Sequence, residues 1–184
     1  MRVISGSARG RKLKEIAGID IRPTSDMVKE SVFNIIQFDI EGRRVLDLFA
    51  GTGQLGIEAL SRGAKSVVFI DSSPEAVGLI HKNVNLSGFE GCATIYRRDA
   101  LRFLEGCEAF DLIFIDPPYD TRLADRALEK IIEFDKLNAN GIIICETRAD
   151  NNTPTVSPPY VFQKEYIYGS TKILRLTREP RTDL

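Results

Sequence analysis

The chain has 184 residues, 43% of them apolar, and a formal net charge of −1 at neutral pH. That length and apolar share supply one sizeable core and exclude a disordered chain. No apolar run approaches membrane-spanning length and no signal-peptide pattern opens the sequence, so a cytoplasmic, non-membrane protein is expected. One histidine (His81) and three cysteines without metal-ligand spacing (Cys92, Cys107, Cys145) argue against a catalytic triad and a zinc site; no metal is expected.

Charge is unevenly spread. Residues 1–14 carry Arg2, Arg9, Arg11, Lys12 and Lys14 and no acid. Val3-Ile4 and Leu13 have strand character, and Gly6, Ala8 and Gly10 suggest a hairpin loop that carries the charges. Residues 1–22 therefore read as a basic arm inside one domain spanning 1–184, suited to neutralising nucleic-acid phosphates; the bland alternative is a solvated basic tail. Arg22-Pro23-Thr24-Ser25-Asp26 reads as an extended approach to a helix, because proline biases Arg22 away from the helical region and the next three residues are capping types. Val28, Val32, Ile35 and Ile36 follow at helical spacing and predict a helix lying on a sheet.

A strand is expected over about 44–49. It leads into Asp47-Leu-Phe49-Ala50-Gly51-Thr52-Gly53, with Gly56 completing a Gly-x-Gly-x-x-Gly loop before a helix that reaches about 62. Such a loop turns sharply, lets a ligand approach the backbone, and presents the free N–H groups of a helix start. A second strand, about 67–71, ends at Asp71-Ser72, twenty positions after Gly51, where a carboxylate can grip ribose hydroxyls. These two features suit a nicotinamide dinucleotide and S-adenosylmethionine equally well. Pro74 starts a further helix containing Val77, Ile80 and Val84.

The next strand, about 93–97, places Asp99 and Ala100 where an adenine amino group can be met; an N-cap role for Asp99 is nearly as good a reading. The fourth strand, about 111–116, closes on Asp116-Pro117-Pro118-Tyr119. Here a carboxylate accepts from an exocyclic amine, rigid prolines hold the carbonyls without competing N–H donors, and a ring offers a stacking face. A dehydrogenase would need a proton-handling group, and His81 falls inside a helical pattern away from the strand ends. S-adenosylmethionine is therefore the preferred cofactor.

Residues 123–134 form an amphipathic helix with Leu128, Ile131 and Ile132, and Ile142–Cys145 reads as a strand buried on both faces. After a polar loop at 149–159, Val161–Ile167 and Ile173–Thr177 form a closing hairpin around Tyr168-Gly169-Ser170, and the tail from Arg178 is expected to fray. The βα alternation predicts an α/β fold with a mostly parallel sheet, helices on both faces, an antiparallel C-terminal hairpin strand, and ligands at the strands' carboxyl ends. The residues alone support an amino-directed nucleic-acid methyltransferase. A non-catalytic nucleotide- or RNA-binding module is the rival of another class.

The pattern Arg2-Val-Ile-Ser-Gly6, Arg9-Gly-Arg-Lys-Leu13, Arg22-Pro-Thr24, Phe33-Asn34, Asp47-Leu-Phe-Ala-Gly-Thr-Gly53, Gly56-Ile-Glu-Ala-Leu60 and Asp116-Pro-Pro-Tyr119 resembles the RsmD-type 16S ribosomal RNA guanine-N2 methyltransferases over nearly the whole chain. Met27 stands where that family usually carries a basic residue. The resemblance implies a class I methyltransferase, Rossmann-like seven-stranded sheet, S-adenosylmethionine as methyl donor, and a guanine amine of 16S rRNA in an assembled or assembling small subunit as acceptor. A monomer is expected. The same resemblance assigns catalysis to Asp116, Pro117, Pro118 and Tyr119, and cofactor contact to Asp47, Phe49, Ala50, Gly51, Thr52, Gly53, Asp71, Ser72, Asp99 and Ala100. It assigns RNA contact to Arg2, Arg9, Arg11, Lys12, Arg22 and Thr24, and makes Tyr168 a weaker candidate for the target pocket. The nearest rival is a DNA adenine-N6 or cytosine-N4 methyltransferase, since the tetrapeptide serves any exocyclic amine, although little sequence is left for reading a DNA site. Protein-glutamine methyltransferases carry Asn where this chain has Asp116.

Overall fold

The computed structural model describes residues 1–15, 23–118 and 122–180, and for residues 23–26 the backbone only. Arg22, Tyr119 and the last part of the arm (16–22) lie outside the described residues, as does the side chain of Thr24.

Seven strands form one sheet in the order β3-β2-β1-β4-β5-β7-β6. They are β1 (Arg44–Asp47), β2 (Ser66–Asp71), β3 (Ala93–Arg97), β4 (Phe110–Ile115), β5 (Leu137–Arg148), β6 (Tyr160–Tyr168) and β7 (Thr171–Arg178). The first five are parallel, and β7 runs antiparallel to both β5 and β6. Helices α1 (Pro23–Ile35), α2 (Gln54–Ser61), α3 (Pro74–Ser87), α4 (Ala100–Gly106) and α5 (Leu123–Glu133) fill the connections. The parallel part is what the βα alternation predicts, and the seven-stranded order is the class I methyltransferase arrangement that the resemblance implies.

Side chains alternate between two cores. Val45, Leu112, Phe114, Ile142 and Ile144 pack with α1, α2, α3 and the arm. Leu46, Ile113, Ile115, Ile143 and Cys145 pack with α4 and α5. The pleat therefore carries Asp47 at the end of β1, Asp116 just after β4 and Glu146 near the end of β5 to the α1 face. The central strands read as continuous apolar runs because both faces are covered.

Four expectations are corrected. Helix α1 begins at Pro23, so Thr24, Ser25 and Asp26 lie in its first turn rather than ahead of it; proline tolerates that position because its missing N–H is unpaired there anyway. Strand β1 stops at Asp47, two residues short of expectation, because the chain there already turns into the glycine loop. Strand β5 covers twelve residues rather than four, since Leu137 pairs with Phe110 ahead of an irregular stretch at 138–141 before Ile142 rejoins at Leu112. Arg178 does not fray: it closes β7, and its guanidinium donates to both Asp135 oxygens at 2.8 Å, while the rest of the expected frayed tail, 181–184, lies outside the described residues.

The arm is a folded hairpin. Val3 donates to the Arg11 carbonyl and Gly10 to that of Val3, both at 2.9 Å, and Val3, Ala8 and Leu13 are buried in the core. It is seated on α2 by a fully buried carboxylate: Ile4 and Ser5 donate their N–H groups to Glu58 at 2.7 and 3.0 Å, and Arg62 donates to Glu58 at 2.8 Å. Gly6 meets α2 so closely that a Cβ there would stand 1.7 Å from the Ser61 carbonyl oxygen, at φ +82°. Gly6→Ala is expected to lift the arm, with a loss of about 2 kcal/mol or more from overpacking and backbone strain. Hydrogen exchange should lose protection at Ile4, Ser5 and Ala8 while the β4 amides keep theirs; unchanged arm protection defeats the prediction.

Candidate active site

A cavity of about 720 Å³ opens at the carboxyl ends of β1, β2, β4 and β5, a volume typical of cofactor pockets. It is lined by Asp47, Phe49, Ala50, Gly51 and Thr52 from β1 and its loop, and by Asp71 and Ser72 after β2. Asp99 and Ala100 at the start of α4, and Asp116, Pro117 and Pro118 after β4, complete this part of the wall. Sequence reasoning named all of these. Gly53 does not line the cavity: it is buried in the turn, at φ 78°, and donates to the Ala50 carbonyl at 2.7 Å, so it shapes the loop. Tyr168 is half-buried against the core and likewise absent from the lining, whereas Ser170 and Thr171 of the same hairpin contribute. His81 is exposed on α3 and takes no part.

The glycine loop is held by carboxylates. Asp71 accepts from the Gly51 N–H at 2.9 Å and from the Ser73 N–H at 2.8 Å, which locks the loop to the start of α3. Asp47 accepts from Gly56 N–H at 3.0 Å in the first turns of α2. Gly56 itself is demanded by packing, since a Cβ would lie 2.3 Å from the Phe69 ring. By contrast, a Cβ at Gly51 would meet nothing within 4 Å, so this glycine, at φ +54°, serves the turn and leaves space for a ligand. Asp99 does cap α4, accepting from Arg102 N–H at 3.0 Å, and it lines the cavity as well.

Burial drives the electrostatics. Asp47 is 1% exposed, and its pKa is pushed up to about 7, first by desolvation and then by Asp71, against the opposing Gly56 hydrogen bond. Asp116 is also held well above the usual carboxylate range, by desolvation and then by the Glu146 and Asp47 charges. Among the described residues none donates a hydrogen bond to the Asp116 carboxylate. It is an acceptor kept open toward the cavity.

Several lining residues escaped the sequence. Glu146 follows Cys145, the last β5 residue paired with β4, so it sits level with the acids at the other strand ends although β5 itself continues to Arg148. Lys29 on α1 is 2% exposed and donates to the Arg2 carbonyl at 2.7 Å, joining helix, arm and cavity wall. Gln54 carries a buried Oε1 without a partner. Asn83, fully buried on α3, bridges the arm and the glycine loop: its Oδ1 accepts from Lys14 N–H at 2.7 Å, and its Nδ2 donates to the Lys14 and Thr52 carbonyls at 3.0 and 2.9 Å. Lys29 and Asn83 have no local signature, because their partners lie far away in sequence.

The lining suits S-adenosylmethionine. Five carboxylates (Asp47, Asp71, Asp99, Asp116, Glu146) face two cationic side chains (Lys29, Arg98) among the described residues. Such a field attracts a sulfonium and an ammonium and opposes a dinucleotide's pyrophosphate. The unpaired Gln54 oxygen at the start of α2 calls for an N–H donor, which the ammonium provides.

On the arm, Arg2, Arg9, Arg11, Lys12 and Lys14 are all exposed, and Arg11 is steadied by donating to the Leu86 carbonyl at 2.8 Å. No helix among the described residues is long and apolar enough to cross a membrane.

Comparison with known proteins agrees with this geometry. Residues 1–177 match the family model described as Conserved hypothetical protein 95. YlbH of Bacillus subtilis is 41% identical over 177 residues, covering 94% of this chain and 96% of that protein. Ribosomal RNA small subunit methyltransferase D of Haemophilus influenzae is 37% identical over 162 residues, covering 86% and 83%. The solved structure of yhhF from Escherichia coli superposes with a TM-score of 0.88 at 31% identity, covering 97% of this chain and 98% of that one. With the match running nearly end to end in sequence and in fold, the chain belongs to the RsmD-type ribosomal RNA methyltransferase family.

Proposed function

We infer that the protein transfers a methyl group from S-adenosylmethionine to the exocyclic 2-amino group of a guanine in 16S rRNA. One observation carries the reading: Asp116-Pro117-Pro118 opens into the same cavity as the glycine loop and Asp71. The names of the small-subunit methyltransferases D support the RNA class.

When bound, S-adenosylmethionine supplies an electrophilic methyl carbon. Asp71 holds the ribose hydroxyls with the carboxylate capacity left beside its two backbone hydrogen bonds. Asp99, Ala100 and Ser72 enclose the adenine end, Phe49, Ala50, Gly51 and Thr52 wrap the centre, Asp47 braces the loop, and Gln54 accepts from the ammonium. The guanine amino lone pair is delocalised into the ring, so the amine is a weak nucleophile. Asp116 and the Pro117 carbonyl accept its two hydrogens and favour a pyramidal nitrogen whose lone pair faces the methyl. Pro118 stiffens that step, and Tyr119 stacks on a base turned out of its helix. Positioning of this kind is worth several kcal/mol, about the scale of oriented intramolecular reactions. The methylated amine loses its extra proton readily, so no strong base is needed.

Arg2, Arg9, Arg11, Lys12, Arg22 and Thr24 contact RNA backbone. The protein acts in the cytoplasm, as a monomer, on an assembled or assembling small subunit, where a compact arm suffices because the folded RNA presents the site. Reversing Arg9 and Arg11 to Glu should weaken RNA binding and lower the slope of log affinity against log salt by about 2. An unchanged slope removes the arm from the interface.

The deciding experiment offers labelled methyl donor with small subunits from a strain lacking this protein and, separately, with duplex DNA, then maps the modified nucleotide. Methylation of a 16S guanine at N2 supports the reading; incorporation into DNA adenine or cytosine overturns it.

A further inference from the structure

Parallel pairing sets Ile115 beside Cys145, so the next residues, Asp116 just after β4 and Glu146 where β5 outruns its pairing with β4, adjoin. The pleat turns both toward the α1 face, and both line the cavity. Neighbouring strands lie about 4.8 Å apart, so two carboxylates side by side span adjacent donors on one base edge. Asp116 is assigned above to the amine. Glu146 has no role yet toward the acceptor base.

The three bases with exocyclic amines differ in the ring atom beside the amine. Guanine presents N1–H, a donor. Adenine presents N1 and cytosine N3, each a bare acceptor. A carboxylate next to the one that holds the amine therefore gains a hydrogen bond from guanine and meets lone-pair repulsion from the other two. Resting on the reading of guanine-N2 transfer, we propose that Glu146 is a specificity-determining residue that accepts the guanine N1–H and rejects adenine and cytosine. Sites built around such a hydrogen bond discriminate far more strongly than apolar pockets do, because the wrong base both loses the bond and sets a lone pair against the carboxylate.

The test uses 2-aminopurine, which keeps guanine's 2-amino group and carries no hydrogen on N1. Small subunits are reconstituted with 16S rRNA bearing either guanosine or 2-aminopurine riboside at the mapped target. Wild-type protein should methylate the guanine subunit at least about a hundredfold faster in kcat/KM. Glu146→Gln replaces one acceptor by an NH2 donor that suits a bare N1, so the ratio should fall at least about tenfold, through slower guanine and faster 2-aminopurine turnover. A residue serving only the fold would slow both substrates alike. Equal wild-type rates on the two subunits overturn the proposal, as does an unchanged ratio in Glu146→Gln. Should that variant fail to fold, equal wild-type rates still overturn the proposal, and Glu146→Asp, which draws the carboxylate back from N1, takes its place with the same fall in ratio expected. Absence of wild-type methylation at any guanine is a different failure, and it falls on the reading of the reaction.

Discussion

Replacing Asp116 with alanine is expected to leave S-adenosylmethionine binding within a few-fold of wild type while turnover on small subunits falls at least about a hundredfold, the usual scale for one preorganised polar contact. The structure separates this from a folding defect. The Asp116 carboxylate takes no hydrogen bond from any described residue, and its charge is disfavoured by desolvation, Glu146 and Asp47. Its loss therefore relieves repulsion, and the apo-protein should be as stable as wild type or more so at neutral pH. That is the pattern of a group kept for chemistry at the expense of stability. Because only the ionised carboxylate accepts both ways, wild-type kcat/KM should also rise with pH to a plateau, and the residual activity of Asp116→Ala should lose that rise. Turnover near normal in this variant, measured as labelled methyl incorporated, refutes the assigned role. A fall in turnover matched by lost cofactor affinity would place Asp116 with the cofactor instead of the acceptor base.

The sequence was most legible between Arg44 and Cys145. There the central strands β1, β2 and β4 and the Ile142–Cys145 run of β5 are buried on both faces and read as apolar runs, while edge strand β3 is largely exposed; two helix ends carry recognisable signals, Gly63 after α2 and Pro74 opening α3. The cavity followed because in such sheets ligand-binding residues cluster at strand ends, and Asp47, Asp71, Asp99 and Asp116 all sit there. What stayed hidden depends on contacts between distant segments. Glu58, Ser61 and Asn83 look like ordinary polar positions of amphipathic helices; the hydrogen bonds to Ile4, Ser5, Ala8 and Lys14 that make them the seat of the arm cross more than fifty residues. Lys29 sits beside an apolar stripe and gives no sign of facing inward. Glu146 was missed because the polar run Glu146-Thr147-Arg148 makes the strand read as ending at Cys145, although it continues to Arg148.

Asp47 carries the second large effect, on stability against pH. Folded, its carboxyl titrates near 7; the ordinary value is 3.8. Below pH 3.8 both folded and unfolded states hold the proton, and the site costs nothing. Between 3.8 and 7 the unfolded chain releases its proton and the folded chain keeps it, so stability falls as pH rises; above 7 the loss is complete. At about 1.36 kcal/mol per pKa unit, a shift of roughly three units amounts to about 4 kcal/mol. Asp47→Asn removes the ionisation and keeps an oxygen for the Gly56 N–H. Unfolding curves of the apo-protein should therefore diverge with pH: similar near pH 4, with Asp47→Asn the more stable by a few kcal/mol, at most about 4, near pH 8. Asp116, shifted the same way, leaves a residual slope in that variant, and adding Asp116→Ala should flatten it further. A buried acid held at such a cost is explained by its ligand: a cationic cofactor favours the ionised form, so binding near pH 7 should release protons in wild type and fewer in Asp47→Asn, which calorimetry in buffers of different ionisation enthalpy measures directly. Parallel stability curves for the two proteins from pH 4 to 8 would show that Asp47 is ionised throughout, and the electrostatic account of the cavity would fall with it.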